Sequence, residues 1–211
     1  MTTAQTTSLT ELERDALGEL SNMAMARAAY SLREMVNSEI FLSVPRVEIL
    51  SREAATLVVE NGGNSRLVAV RQDFTGAFAG RALLIFPEPN GLELVRAVVG
   101  KGTPVDDIRD LEDEALAETG NIILNSWVGT IANLLKRSLK MALPVVIRSE
   151  RQGIFETHGL QEAKILFLHI NFSINNKEIR GYIALLMDIP SIEELRLLIA
   201  DFVIRAIQKP G

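Results

Sequence analysis

The chain has 211 residues, and its content of 47% hydrophobic and 23% charged residues is typical of a globular protein. Its net charge of −5 gives no support for a nucleic-acid partner, because such partners require basic surfaces. The sequence has no cysteine and two histidines, which excludes disulfides and argues against a zinc or iron enzyme. No apolar run is long enough to span a membrane. The absence of cysteine fits a reducing cytoplasm, so we expect a cytoplasmic protein, and the two histidines are not at ligand spacing, so we expect no metal or cofactor of its own.

The first half of the chain predicts a long helix, four strands and a shorter helix. The Thr-rich residues 1–9 predict a flexible N-terminal tail, and Thr10-x-x-Glu13 is a capping box that opens a helix ending near Asn37. The buried stripe of this helix is predicted at Leu12, Ala16, Leu20, Met23 and Ala24. Strands are predicted at 46–50, 56–60, 66–72 and 80–86, with a hairpin turn at 60–65, and the shorter helix at 90–100.

The second half predicts a similar series of elements. A second long helix is expected from near Asp110 to near Met141. Its apolar positions include Leu111, Ala115, Ile122, Val128, Ile131 and Leu135. Strands are predicted at 145–148, 163–173 and 179–187, with a turn at Asn175-Asn176, and a final amphipathic helix at 191–207.

An internal repeat relates the two halves. Each long helix carries an acidic residue, a Glu and an Asn at positions i, i+4 and i+7, and the two copies are offset by 99 residues. The members are Asp15, Glu19 and Asn22 in the first copy and Glu114, Glu118 and Asn121 in the second. A proline follows each Asn by 23 positions, and the apolar stretch that begins at Gly80 resembles the one that begins at Gly181. Landmarks that recur in the same order indicate a duplication.

Neither half has enough predicted helix and strand to cover its own apolar surface. The sequence therefore predicts an internally duplicated α+β fold in which both halves share one β-sheet with pseudo-twofold symmetry. The two long motif helices are expected to pack on that sheet. The whole chain is predicted to be a single domain, 1–211, with repeats at about 10–100 and 110–208.

Each polar triplet lies on one face of its helix, because positions i, i+4 and i+7 fall within roughly 60° at 3.6 residues per turn. Small neighbours, at Ser21, Ala24 and Ala26 in the first copy and at Thr119 and Gly120 in the second, are expected to let a partner approach the Asn. A single Glu-x-x-Asn is more often a solvated helix face. Its presence in both copies favours a function, because packing gives no reason to keep the same polar residues.

These motifs resemble the signature of the CheC, CheX and FliY family. That signature has Asp or Ser, then Glu and Asn at this spacing, and Pro about 22 residues later. Both copies match, the resemblance covers nearly the whole chain, and Glu118-Thr-Gly-Asn-Ile is similar to the Glu-x-Gly-Asn-Ile helix of the family. Glu114 departs from the usual Asp or Ser, and the first copy lacks the Gly-Asn-Ile context.

The resemblance implies a CheC-like phosphatase that hydrolyses the phospho-Asp of a CheY-like response regulator in chemotaxis. The receiver domain would itself carry Mg²⁺ and a lysine. Asn22 and Asn121 would then orient the attacking water, and a carboxamide suits this task because it has both a donor and an acceptor. Glu19 and Glu118 would pair with the receiver's lysine.

Three further polar residues lie beside these positions. Asp15 and Glu114 are predicted to be peripheral contacts to the partner. Asn125 lies one turn beyond Asn121 and is either a further partner contact or a solvated or capping residue.

Three alternative functions remain. The first is a non-catalytic protein similar to the middle domain of the flagellar switch protein FliM, although that domain lacks the Glu/Asn pair. The second is an adaptor that binds the deamidase CheD. The third is an unrelated small-molecule hydrolase, which the absence of a Ser–His–acid set and of a phosphate-binding glycine loop disfavours.

Overall fold

A computed structural model describes residues 9–36, 38–60, 66–99, 105–150, 153–156, 164–174 and 177–208. These residues form five helices and seven strands. The helices are α1 (Glu11–Val36), α2 (Arg52–Glu60), α3 (Glu88–Val99), α4 (Val105–Leu134) and α5 (Ile189–Ile207). The strands are β1 (Ile40–Leu50), β2 (Arg66–Gly76), β3 (Gly80–Pro87), β4 (Leu139–Met141), β5 (Val145–Glu150), β6 (Lys164–Ile174) and β7 (Lys177–Met187).

Both halves of the chain contribute to one antiparallel sheet, as predicted. Its order is β1-β6-β7-β3-β2-β4, and β5 pairs with β2 beside β4. The central pair, β3 and β7, comes from different halves and aligns Leu83 with Ala184. Because Gly80 and Gly181 occupy equivalent positions of the repeat, Leu83 is paired with its own equivalent, Ala184, and this alignment lies on the pseudo-twofold axis.

The two faces of the sheet are covered unequally. Successive side chains along β2 point to opposite faces of the sheet. Val68 and Val70 therefore belong to a large core, and Leu67 and Ala69 belong to a small one. The large core contains residues of α1, α3, α4 and α5, and the small one contains residues of α2 and the segment 153–156. Both motif helices therefore lie on the same side of the sheet, which confirms that prediction.

The motif helices also pack directly against each other. The indole Nε1 of the buried Trp127 on α4 donates to Ser21 Oγ on α1 at 3.0 Å. Nearly two turns farther along α1, Arg27 Nη1 donates to Thr130 Oγ1 at 3.3 Å. These buried and half-buried bonds fix the position of one motif relative to the other.

The first helix begins as predicted, but its buried stripe differs. Thr10 N donates to Glu13 Oε2 at 2.7 Å and Glu13 N to Thr10 Oγ1 at 3.2 Å, which forms the capping box. Leu12 and Met23 are 55% and 49% exposed, so their assignment to the core was wrong. The helix packs on α4 as well as on the sheet, and this rotates its buried face to Leu17, Leu20, Ser21, Ala24, Met25, Ala28, Ala29 and Leu32.

The second long helix ends earlier than predicted. It stops at Leu134, and Lys136 adopts φ 55°, which terminates the helix before the short strand β4. The extension to Met141 was therefore wrong. Leu111, expected in the core, is also exposed.

Two expectations for the first half were also wrong. The segment 56–60 belongs to the helix α2, so no hairpin precedes β2, and the predicted turn residues 61–65 lie outside the described part of the chain. Pro45 does not begin a strand but lies within β1, where the pairing with β6 shifts between Ser43 and Arg46. The remaining predicted strands match β2, β3, β5, β6 and β7 to within a few residues.

Two further expectations concern the N-terminal tail and membrane insertion. Of the predicted tail, Leu9 is buried and the others lie outside the described residues. Within the described part of the chain, no helix has both the length and the apolar character needed to cross a membrane.

Candidate functional site

The first polar triplet faces solvent on α1. Asp15 and Glu19 are exposed and Asn22 is half-buried. Together with Pro45 and Arg46 of β1, they line an open groove of about 420 Å³ between the helix and the sheet edge. The helical spacing therefore brings the three side chains to one surface, as the sequence predicted.

The carboxamide of Asn22 is bound by the backbone of β1. Val44 N donates to Asn22 Oδ1 at 2.9 Å, and Asn22 Nδ2 donates to Val44 O at 3.5 Å. Val44 is free to make these bonds because the β1–β6 pairing is interrupted at this point, next to Pro45, which has no N–H. In the first copy, the residue before the Pro therefore joins the helix to the strand.

The second triplet has the same exposure on α4. Glu114 and Glu118 are exposed and Asn121 is half-buried. Asn121 Oδ1 accepts one hydrogen bond from Gln72 Nε2 at 3.0 Å and another from Asn125 Nδ2 at 2.6 Å. Asn125 thus contacts the motif itself, in addition to any contact with a partner.

The two copies differ in how the strand supports the Asn. Val44 is 4% exposed, whereas Leu143, which precedes Pro144 at the equivalent position, is 87% exposed. No bond joins Asn121 to Leu143 in the described structure. The side chain of Gln72 takes the place of this backbone contact, because its Nε2 donates both to Asn121 and to Ala142 O at 2.9 Å.

Both carboxamide oxygens point toward the protein. In the first copy the donor is a backbone N–H, so the acceptor beside it must be the Asn oxygen. In the second copy Gln72 must present nitrogen to the carbonyl of Ala142, so the same nitrogen also meets the oxygen of Asn121. Among the described residues, Asn121 Nδ2 has no hydrogen-bond partner, which leaves two N–H groups available to a bound molecule.

The small residues beside the motifs have a different role from the one expected. Ser21, Ala24, Thr119 and Gly120 are buried, and only Ala26 is exposed. A Cβ at Gly120 would lie 2.5 Å from the side chain of Val70. These residues therefore let the helices approach the sheet and each other, and they do not border the Asn on its solvent side.

Ion pairs hold the beginning of the second motif near the sheet. Arg148 on β5 pairs with Glu112 at 3.0 Å and with Asp113 at 2.6 Å. Burial opposes the charged form of Arg148, but the hydrogen bonds to Asp113 and Glu112 outweigh it and raise the pKa of the guanidinium. Glu114 and Glu118 make no ion pair within the described structure. Among all residues that the structure describes, no group of His, Cys, Asp and Glu is arranged to hold a metal.

Sequence reasoning missed Val44 and Gln72. Gln72 is 1% exposed on the helix-facing side of β2, between the core residues Val70 and Phe74. An amide at a core-facing position of a strand is unusual. This unusual position was the signal in the sequence that could have identified Gln72 as a functional residue. Nothing in the sequence indicated the hydrogen bonds of Val44, because they involve backbone atoms.

Curated relatives of this chain include two proteins of Bacillus subtilis. The chain is 28% identical over 198 residues to "CheY-P phosphatase CheC" of Bacillus subtilis, covering 88% of this chain and 92% of that protein. It is 22% identical over 140 residues to "Flagellar motor switch phosphatase FliY" of the same organism, covering 65% of this chain but 36% of FliY. No protein-family profile matches the sequence.

Solved structures share the fold at low sequence identity. The FliY structure from Thermotoga maritima has a TM-score of 0.72 and 16% identity, covering 92% of this chain and 98% of that one. CheX in the CheX–CheY–BeF₃–Mg²⁺ complex from Borrelia burgdorferi has a TM-score of 0.50 and 17% identity, covering 79% and 97%. The FliM middle domain from H. pylori has a TM-score of 0.60 and 10% identity, covering 90% and 99%. FliY, CheX and the FliM middle domain thus share this fold.

Proposed function

We propose that this chain, a CheC/FliY-like family member, is a phosphatase that hydrolyses the aspartyl phosphate of a CheY-like response regulator. The observation that carries the proposal is the repeated site. In each copy a carboxamide is anchored through its own oxygen, and an exposed Glu lies one turn earlier on the same helix face. The similarity to a CheY-P phosphatase over nearly the whole chain supports the same function.

The chemistry required of this chain is limited. Phosphoryl transfer proceeds through a loose transition state, so catalysis depends mainly on position and on neutralised charge. The receiver would bring its own Mg²⁺ and lysine as parts of the substrate. The phosphatase then needs to hold one water in line with the phosphorus–oxygen bond.

The geometry favours the amide nitrogen for this task. Both lone pairs of Asn121 Oδ1 are occupied by Gln72 and Asn125, so its free N–H groups would donate to the water oxygen. A donor that occupies one lone pair of the water leaves the other to point at phosphorus. Asn22 would act in the same way, although one of its N–H groups already makes a long bond to Val44 O.

The glutamates would orient the receiver. Glu19 and Glu118 are exposed and make no ion pair within the described structure, so each carboxylate is available to a lysine of the partner. Such a pair at an exposed interface contributes little affinity but fixes the orientation of the two proteins. Asp15 and Glu114 extend each stripe by one turn as peripheral contacts.

A non-catalytic binding function is the second candidate. The match to FliM middle domains favours it, because that fold similarity is comparable to the match with CheX. A protein of this kind would bind its partner, whether a switch component or the deamidase CheD, without accelerating hydrolysis. Both Glu/Asn pairs would then serve as docking surfaces.

The decay of a phosphorylated receiver distinguishes the two candidates. A substoichiometric amount of this protein should accelerate release of phosphate from the receiver, and the variant with both Asn22→Ala and Asn121→Ala should not. Asn133→Ala is a matched control, because Asn133 is an exposed Asn on the same helix as Asn121, outside the motif. Unchanged decay with the wild-type protein, together with retained binding, would support the docking function instead.

A further inference from the structure

Gln72 is a buried amide within an apolar region. It is 1% exposed, and the side chains before and after it on the same face of β2 belong to the main core. Its Nε2 donates two hydrogen bonds, but its Oε1 is buried and has no partner among the described residues. A buried acceptor without a partner destabilises the folded protein, so stability alone does not favour Gln at this position.

The position equivalent to Gln72 in the other half shows which type of residue the packing of the sheet accepts. Gln72 aligns with Ala82 on β3, and Leu168 aligns with Ile183 on β7. Since Ala82 and Ile183 are equivalent in the repeat, Gln72 corresponds to Leu168, which is fully buried. The sheet therefore accommodates a leucine at this place, and there the backbone of Val44 holds Asn22.

We propose that Gln72 is a positioning residue for the second site. Because its Nε2 also binds the carbonyl of Ala142, it fixes the oxygen of Asn121 inward and leaves both amide N–H groups facing outward. Asn125 supplies the second bond to the same oxygen, but its side chain is half-buried and lies on the same helix. Gln72 is thus the link between Asn121 and the sheet. The inference rests on the proposed phosphatase function.

The test replaces Gln72 with Met, which has a similar volume and no amide. The Asn22→Ala background leaves only the second site intact, and there Gln72→Met should lower kcat by about tenfold, as expected for a misplaced catalytic group. KM should change less than twofold by the same reasoning, since the exposed glutamates are untouched. The melting temperature should change little, because Met loses two hydrogen bonds but also removes the unpaired buried acceptor. Gln72→Leu, which introduces the residue found at the equivalent position Leu168, should behave in the same way.

The Asn121→Ala background provides the internal control. There Gln72→Met should cause no further loss of activity, because the group that Gln72 positions is absent. An unchanged kcat for Gln72→Met in the Asn22→Ala background would overturn the inference, and so would an equal loss in both backgrounds. If Asn121→Ala itself had no effect on phosphate release, the proposed function of the second site would fail instead.

Discussion

At the scale of single residues, the two carboxamides are held by different groups. Asn22 is bound by backbone atoms of Val44, which remain after any substitution of Val44 except one to Pro. Asn121 depends on two other side chains, Gln72 and Asn125. The first site is therefore built into the strand, whereas the second is sensitive to mutation of its supporting residues.

This difference predicts opposite effects of the two Asn→Ala substitutions. Asn121→Ala should reduce phosphatase activity more than Asn22→Ala, because both N–H groups of Asn121 are free and only its copy has the Gly-Asn-Ile context. Asn22→Ala should reduce stability more, by about 1–3 kcal/mol, because it leaves the N–H of the buried Val44 without its bond. Initial rates and urea unfolding curves of both variants would measure the two effects. Equal losses in either measurement would contradict the prediction.

At the residue scale, the sequence identified the two polar triplets. The triplets could be predicted because helical spacing alone decides which residues share a face. Gln72 and Val44 could not, because their role depends on the register of β2 against β3 and on the interruption of pairing in β1. These features arise from contacts between distant segments.

At the scale of elements, local preference competed with packing. The segment from Thr56 to Glu60 contains Val and Thr and therefore indicated a strand. It forms a helix because Ser51 caps the first turn, with Ala54 N donating to Ser51 Oγ at 3.2 Å, and because Ala55 and Val59 pack together into the smaller core. Ala55 and Val59 are one helical turn apart, so a helix buries both of them on one face. This burial outweighs the weaker preference of Val and Thr for a strand.

The contact between α4 and the sheet predicts a contrast between two glycines. A Cβ at Gly120 would lie 2.5 Å from the side chain of Val70, whereas a Cβ at Gly129 would meet nothing within 4 Å. Gly120→Ala should therefore destabilise the protein by about 1–3 kcal/mol as an overpacked core position. Gly129→Ala should stabilise it by roughly 0.5–1 kcal/mol, because Ala favours the helix.

Thermal unfolding of the two variants measures this contrast. Gly120→Ala should also lower phosphatase activity, since Asn121 follows directly and would move with the helix. Gly129→Ala should leave activity unchanged and serves as the control for the substitution itself. A Gly120→Ala protein as stable as the wild type would show that the helix can shift without cost.

At the scale of the whole molecule, the duplication sets the arrangement of the two sites. The sheet joins the halves through β3 and β7, and α1 packs against α4, so both triplets lie on the same layer of helices. The repeat could be recognised from the sequence, because offsets between landmarks survive even where individual residues differ. The split of one strand into β4 and β5 in the second half could not, because Leu143 gives no local signal of its exposure.

The Glu and the Asn of each site should contribute to different kinetic steps. The Glu should orient the receiver, and the Asn should orient the water, so substitutions of the two should have different kinetic effects. A variant with both Glu19→Gln and Glu118→Gln should need a higher receiver concentration for half-maximal rate, with a smaller change at saturation. A variant with both Asn22→Ala and Asn121→Ala should have a saturated rate lower by about a hundredfold or more, because the water is no longer positioned. Its binding to a receiver carrying beryllofluoride should persist.

Salt provides an independent measurement of the glutamate contribution. Charges at an exposed interface are screened over about 8 Å at physiological ionic strength, so added salt should weaken productive binding of the wild type more than that of the Gln variant. Glu34→Gln, a change at an exposed position of α1 outside the motif, should keep the salt dependence of the wild type. Saturation curves at two salt concentrations measure both effects. An Asn variant that loses binding while its saturated rate is unchanged would show that the stripes are docking surfaces alone, because a group that orients water must act after the receiver is bound.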